Sequence, residues 1–454
     1  MSAVRQQPAA AFDRRLVPPM ILGALLNPVN SSMIAVALVP IGIAFGAPPA
    51  ETAWLVGGLY LATAIGQPVV GRLVDTYGPR PLFLIGTTLV GLAGVLGALA
   101  PQLWVLVVAR VLLGFGTCAG YPAAMYLIRR EAERTGRDSP AGILTLLAVS
   151  TQTIAVVGPP LGGLLIGLGG WRAVFAVNVP LAALALLLGA LRLPRFARTG
   201  QAPGMDLSGI ALFAATLVAL LLFLMDPGWW WLAPVAVAAG AAFALRELRT
   251  ATPFLDLRVF GSNAALLATY ARALLAAVVS YAFLYGFTQW LEEGRGLPPL
   301  VAGLVLLPVF GIGIAVAAIT GRRTGIRGKL VVGALAQTVA CALLFLFGDT
   351  SPIWLILVCA VVLGVPQGLV NLANQNAVYH QADPERIGAS AALLRTFFYL
   401  GAIVASAAGG GFLGARADSP GLHHLAVFLV GVAGAFVVLT LVDRSLARVG
   451  RRAS

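Results

Sequence analysis

The chain has 454 residues, 59% of them hydrophobic and only 10% charged, with a mean hydropathy of +0.92 and a formal net charge of +13. Soluble proteins cover themselves with roughly 25% charged residues, so an ordinary water-facing surface is excluded and lipid is the solvent implied. The basic excess does not describe a nucleic-acid surface, because arginines punctuate long apolar runs singly or in pairs and form no stripe interleaved with aromatics.

The opening MSAVRQQPAAAFDRR is polar and of mixed charge, and predicts a cytoplasmic tail, not a cleavable leader. A membrane helix needs about 20 mostly apolar residues to cross roughly 30 Å of hydrocarbon. Six such runs lie near 17–45, 52–70, 82–100, 103–127, 142–167 and 172–191. The basic segment RLPRFARTGQAPG follows, then a short pair near 207–225 and 228–245 separated by DPGWW, then the polar segment RELRTATPFLDLRVFGSN. Six more lie near 264–290, 299–320, 330–347, 353–378, 388–414 and 422–442. The expected fold is an all-α membrane protein of fourteen transmembrane helices. Residues 1–191 form one six-helix bundle, 192–260 a linker with two extra helices, and 261–454 a second, pseudo-symmetric bundle. A weak internal echo supports duplication: GRLVDTYGPR at 71–80 follows the second span and GRRTGIRGK at 321–329 follows the tenth. Parallel halves of this kind place a substrate site between them near the midplane.

Orientation follows from lysine and arginine in short loops. With a cytoplasmic N-terminus, twenty-four basic residues fall inside and three, Arg172, Arg295 and Arg416, fall outside. One missed span would scramble every later loop, so both termini are expected in the cytoplasm of a multi-pass protein.

Four stretches carry a family likeness. PVVGRLVDTYGPR, after the second span, holds Gly71, Asp75, Gly78 and Arg80 in a G-x-L-x-D-x-x-G-R pattern. Its glycines permit a tight loop, and Asp75 can favour a facing helix N-terminus or an arginine. ARVLLGFGTCAGYP in span four holds Arg110, Gly114 and Gly116, and VVGPPLGG in span five holds Gly158, Pro159, Gly162 and Gly163, residues that let helices approach and bend. FTQWLEEGRGLPPLVAGLVLLP at 287–308, with PFLDLRVF at 253–260, is the fourth. Together they resemble the major facilitator superfamily, in its fourteen-span drug:proton antiporter branch, over nearly the whole chain. The resemblance implies that Gly71, Asp75, Gly78, Arg80, Gly114, Gly158, Pro159 and Gly162 serve gating, and that spans one, four, nine and twelve line a central cavity. Span one departs from the branch. It reads NPVNSSMIAVALVP, with Asn27 and Asn30 where an aspartate is usual, so the carboxylate that would carry a proton there is missing.

Ionisable groups inside hydrocarbon are costly and are functional candidates by default. Arg110, Arg272 and Arg395 lie roughly 10–15 Å deep at about 1.5 Å per residue, and no aspartate or glutamate lies comparably deep in the sequence. Polar neutral side chains expected to join them in the cavity are Asn27, Asn30, Tyr121, Gln152, Gln289, Gln367, Asn371, Asn374 and Tyr399, with Ser31, Gln67 and Gln375 nearby. Each has a plainer reading as interhelical glue, packing or snorkelling. The expectation is an electropositive cavity with no counter-carboxylate, preferring anionic, zwitterionic or neutral amphipathic cargo over lipophilic cations.

Cys118, Cys341 and Cys359 sit in apolar runs, and His380, His423 and His424 have no ligand cluster, so no metal and no cofactor is expected. An enzyme would need paired carboxylates, a nucleophile–base pair or a metal at membrane depth, and no nucleotide-binding pattern is present. The function expected is secondary active export of a small organic compound by a monomer in a bacterial-type inner membrane, with protons as the coupling ion the family implies. The alternative is a uniporter or importer of an organic anion or other metabolite without proton antiport.

Overall fold

The computed structural model describes residues 12–135, 141–195, 206–250, 253–255, 257–260, 263–320, 325–382 and 387–447. Arg5, Arg137, Arg198, Arg322, Arg323, Arg386, Arg448, Arg451 and Arg452, which weigh in the orientation count, lie outside the described residues.

Hydrocarbon offers no partner for a backbone amide, so a chain this apolar must satisfy its hydrogen bonds within each crossing segment. Every described element is helical. In chain order the crossings are α1 (Arg14–Val36, continued by a short helix Leu38–Phe45), α2 (Pro49–Tyr77), α3 (Pro79–Ala98), α4 (Leu103–Thr135), α5 (Ala141–Gly169), α6 (Arg172–Arg192) and α7 (Leu207–Met225). Then come α8 (Leu232–Arg249), α9 (Ala264–Glu293), α10 (Pro299–Thr320), α11 (Ile326–Leu346), α12 (Ile353–Gln381), α13 (Ile387–Leu413) and α14 (Ser419–Val442). Thirteen of these helices are long and apolar enough to cross a membrane. The remaining one, α8, closes on Arg246, Glu247 and Arg249, which shortens its apolar part.

Successive crossings alternate in direction. One end of the molecule, the basic face, therefore carries the turns after α2, α4, α6 and every later even-numbered helix; the other is the opposite face. Asp75 was expected in a loop. It instead stands in the last turns of α2, because the helix runs on to Tyr77 and the reversal is confined to Gly78, whose φ of +86° is open to glycine alone at little cost. Pro79 then starts α3.

Large apolar side chains such as Leu99, Leu168 and Val237 point outward and stay more than 70% exposed, as a lipid-facing surface requires. Inside, α1 packs on α5 and on the second half of α4, α3 on α4 and α6, and α2 on α4. The later helices pair similarly, α12 with α10 and α11, α9 with α13, α11 with α14. Between α1 and α4 there is no room for a side chain: a Cβ on Gly120 would run into the Gly23 carbonyl. The hairpin of α7 and α8 does not stand apart. α7 lies against both α2 and α13, and Phe213, Leu217 and Phe243 share one apolar cluster with Ala64 of α2, Tyr270 of α9 and Leu393 of α13.

Candidate functional site

The early and late helices meet along a seam that is shut toward the opposite face. There α5 lies against α10, so that a Cβ on Gly303 would sit 2.7 Å from the Pro159 carbonyl, and a Cβ on Gly163 would strike the backbone of Leu300. Gly162 packs on the Met33 carbonyl, and Gly158 faces the Ser32 hydroxyl too closely for any side chain. The GPPLGG element is thus the surface on which α5 meets both α1 and α10. On the other flank Ser406 of α13 donates to the Ala53 carbonyl of α2 at 2.7 Å.

On the basic face a cavity of about 570 Å³ is lined by Gly71, Asp75, Pro122, Met125, Tyr126, Arg129, Arg130 and Glu133, from the ends of α2 and α4 in the early set. Met125 of that lining is exposed, as are Tyr121, Gln152 and Asn371. The Arg395 guanidinium of α13 lies 3.9 Å from the centroid of the Tyr121 ring of α4, a cation–π contact joining the two sets of helices.

At the closed bottom sits a cluster of tyrosines. α9 widens into a π-helical turn at Phe283–Phe287, which carries Tyr285 toward α1 and α2. The Tyr60 and Tyr285 hydroxyls are 2.9 Å apart, and Tyr285 donates to the Ser31 carbonyl at 2.9 Å. Since Tyr285 spends its proton on Ser31, Tyr60 is the donor between the pair. Tyr281 meets Tyr60 edge-on at 5.0 Å, Tyr399 lies 5.9 Å from it, and the Tyr399 hydroxyl donates to Gln67 at 2.7 Å. Arg110, 1% exposed, sits beside this cluster, donating from Nε to the Leu55 carbonyl at 2.9 Å and from Nη1 to the Asn30 carbonyl at 3.1 Å. Its Nη2 has no partner. These carbonyls come from the second turn of α2 and from just before α1 tightens into a 3₁₀ turn at Ile34–Val36.

The site residues expected from sequence divide accordingly. Arg110, Tyr121, Arg395 and Tyr399 gather along the seam, and Asn30 takes part there only through its carbonyl, which accepts from Arg110. Asn27 donates to Thr117 at 3.0 Å, and Asn30 exchanges amide bonds of 2.6 and 2.9 Å with Asn178 of α6. Gln289 is buried on α9, where its amide donates to the Tyr285 carbonyl at 3.4 Å. Along α12, Gln367 is half-buried, Asn371 accepts from Gln375 at 3.0 Å, and Asn374 is buried with its amide oxygen unpartnered. Gly114 packs on the Leu59 carbonyl, and Arg80 donates to the Ala190 carbonyl at 2.7 Å.

Arg272 is the correction. It was expected to lack a carboxylate, yet its Nη1 lies 2.6 Å from Asp443, just beyond α14, and its Nη2 donates to Thr269. Thr269 bonds Gln381, which bonds Ser445, so Arg272 belongs to a polar clamp at the basic ends of α9, α12 and α14. Burial pushes the Asp443 carboxyl up, but Ser445 and Arg272 outweigh it and hold it below the usual range. Asp206 behaves alike: burial raises it, and Arg246 at 2.8 Å with the Gly209 amide brings it net below its ordinary value. Sequence reasoning missed Tyr60, Tyr281, Tyr285 and Asn178. The spacing of Tyr281 and Tyr285 on one helix face was the available signal, but on an apolar span it describes core equally well.

The model of the Major Facilitator Superfamily matches residues 20–406. The chain belongs to this superfamily. It is 32% identical over 434 residues to the MFS-type transporter YwoD of Bacillus subtilis (strain 168), covering 92% of this chain and 94% of that protein. To the tetracenomycin C resistance and export protein of Streptomyces glaucescens it is 29% identical over 433 residues, covering 91% and 79%. A crystal structure of the peptide transporter POT with bound sulfate superposes with a TM-score of 0.71 at 15% identity, covering 98% of this chain and 97% of that one. The superfamily membership establishes a multi-pass membrane transporter; the likeness to the peptide transporter speaks for the fold.

Proposed function

We propose that the chain exports small organic compounds by alternating access between its two sets of six helices, from a bacterial-type inner membrane with the basic face in the cytoplasm. The excess of loop arginines on that face supports the orientation, which makes the conformation described here inward-facing. A relative named for antibiotic resistance and export, and another named for antibiotic resistance, support the direction. The cargo is anionic, zwitterionic or neutral and aromatic. One observation carries this: Arg110 is buried against the tyrosine cluster with a guanidinium nitrogen unpartnered, and among the described residues no carboxylate is bonded to it. An acidic or carbonyl group on a flat cargo satisfies that nitrogen, whereas a lipophilic cation meets like charge at Arg110 and Arg395.

The test is counterflow in proteoliposomes with a matched pair of fluorescent aromatics, one a sulfonate and one a quaternary ammonium. The anion is expected to move faster, and Arg110→Gln to lower its transport at least tenfold. Faster movement of the cation, or indifference to Arg110→Gln, refutes the cargo class. The reciprocal amide pair of Asn30 and Asn178, standing where the branch usually has a carboxylate, favours a second reading as a uniporter. Under an imposed pH gradient with no cargo gradient, cargo accumulation separates the two. Asp75, exposed at the cavity mouth, is the proton carrier tested first, and proton counterflow that survives Asp75→Asn removes it from that role.

A further inference from the structure

α5 and α10 cover each other near the opposite face and part toward the basic one. They meet through Pro159 and Gly163 of α5 and Leu300 and Gly303 of α10, where neither glycine has room for a Cβ. Past that contact the regular helix of α10 is interrupted at Leu306, between Pro299–Val305 and Leu307–Thr320, and Pro308 lacks the amide that would mend the ladder. The second segment leans on α12 instead: a Cβ on Gly364 would lie 2.8 Å from the Val309 carbonyl, and one on Gly368 would strike the Gly313 carbonyl. α5 meanwhile stays on α1, through Gly158 against Ser32 and Gly162 against Met33.

The faces that α5 and α10 turn to each other are therefore bare further in. Gln152 stands two and three turns before Pro159 and Gly163 on the same face of α5, and it is exposed. Ile314, three turns beyond Gly303 on α10, is 45% exposed. Gln152 lies about 25 Å along the helix from Gly169, the end of α5 at the opposite face, and so within the far half of a hydrocarbon layer of roughly 30 Å. Among the described residues no group is bonded to its amide. An amide facing hydrocarbon alone is left unsatisfied at a cost, so the gap calls for a polar partner. The other flank is built differently. There Ser406 bonds Ala53 and Tyr399 bonds Gln67 between α13 and α2, and α7 lies over both helices, with Leu221 and Met225 filling the space beside Gly57.

We propose that the gap between α5 and α10 is a lateral entrance for anionic amphipaths dissolved in the inner leaflet, with the Gln152 amide donating to the acidic end as it leaves the lipid. The depth commits the occupant: a molecule already in the hydrocarbon is the one that reaches a gap there, and its aromatic or acyl body stays beside apolar side chains such as Ile314. Arg395 and Arg110, along the seam, draw the same charge. The α7–α8 hairpin leaves this flank as the one through which the leaflet and the seam exchange. The inference rests on the export reading for the direction of flux, but the entrance is read without flux.

A bimane label on Ile314→Cys, in the full chain with its three native cysteines buried, reads the gap in phosphatidylcholine vesicles. The probe is a single-chain alkyl sulfonate brominated on its chain, which quenches bimane on contact. Quenching is expected to saturate with the sulfonate at Ile314→Cys and to rise in proportion to it at Val237→Cys on α8, a position 72% exposed. Gln152→Leu should raise the half-saturation point by about tenfold, the loss of one charge-assisted hydrogen bond. Thr153→Leu leaves it in place, and unchanged quenching of the Val237 label in the Gln152→Leu chain guards against a variant that merely misfolds. Proportional quenching at Ile314→Cys, or a half-saturation point indifferent to Gln152→Leu, overturns the proposal. Flux of the same sulfonate, measured in parallel, separates the readings: saturable quenching without flux fails the exporter, and flux with proportional quenching fails the entrance.

Discussion

The clamp between Arg272 and Asp443 yields a quantitative expectation. The pair is 2.6 Å apart with side chains 0% and 8% exposed. Removing Asp443 leaves the guanidinium with Thr269 as its remaining hydrogen-bond partner, Nε already being unpartnered. Removing Arg272 leaves Asp443 with two donors, the Ser445 amide at 2.9 Å and its hydroxyl at 2.6 Å. Stranding one member of a buried pair costs about 3–5 kcal/mol, so Asp443→Leu should fall in that range. Arg272→Met keeps the apolar stem and a still-bonded carboxylate, and should cost about 1–3 kcal/mol. The double variant should return to within about 1–2 kcal/mol of wild type, because two well-packed apolar groups need no compensation. Reversible unfolding in mixed micelles, run as a double-mutant cycle, measures the coupling. Additive single effects, or Arg272→Met costing more than Asp443→Leu, would refute the assignment.

Two further outcomes follow from the same structure. A Cβ on Gly71 meets nothing within 4 Å, whereas one on Gly120 strikes the Gly23 backbone. Gly71→Ala should therefore stabilise this conformation by about 0.5–1 kcal/mol and Gly120→Ala should destabilise it by about 1–3 kcal/mol or more, as read from unfolding midpoints. Transport lost in a stable Gly71→Ala variant would place the need for that glycine in the other conformation. The depressed carboxyl of Asp443 fixes a pH dependence: its contribution is complete above the unfolded aspartate value of about 3.9 and is lost as pH falls through the lower folded value. Midpoints measured from pH 6 to pH 3 should drop below about pH 4, less steeply in Arg272→Met, and an equal slope in both proteins would contradict the linkage.

The positions of the crossings were legible in the amino-acid sequence because spanning hydrocarbon is a local demand: each helix must be apolar along its own length and satisfy its own backbone. Residues 207–225 and 299–320 coincide with their helices, and the Gly78–Pro79 reversal follows from two adjacent residues whose backbone preferences act without tertiary help. The partners of the polar side chains were not legible. Asp443 lies 171 positions from Arg272, and Tyr285 reaches Ser31 across 254. In lipid, the face of a helix that meets protein and the face that meets acyl chains are both apolar, so hydropathy carries no rotation angle. Close packing at Gly23 and Gly120, at Gly163 and Leu300, and along the π-helical turn of α9 sets those rotations. That packing decided that Arg110 faces the tyrosines, that Arg272 is spent on a clamp, and that the α7–α8 hairpin braces α2 against α13.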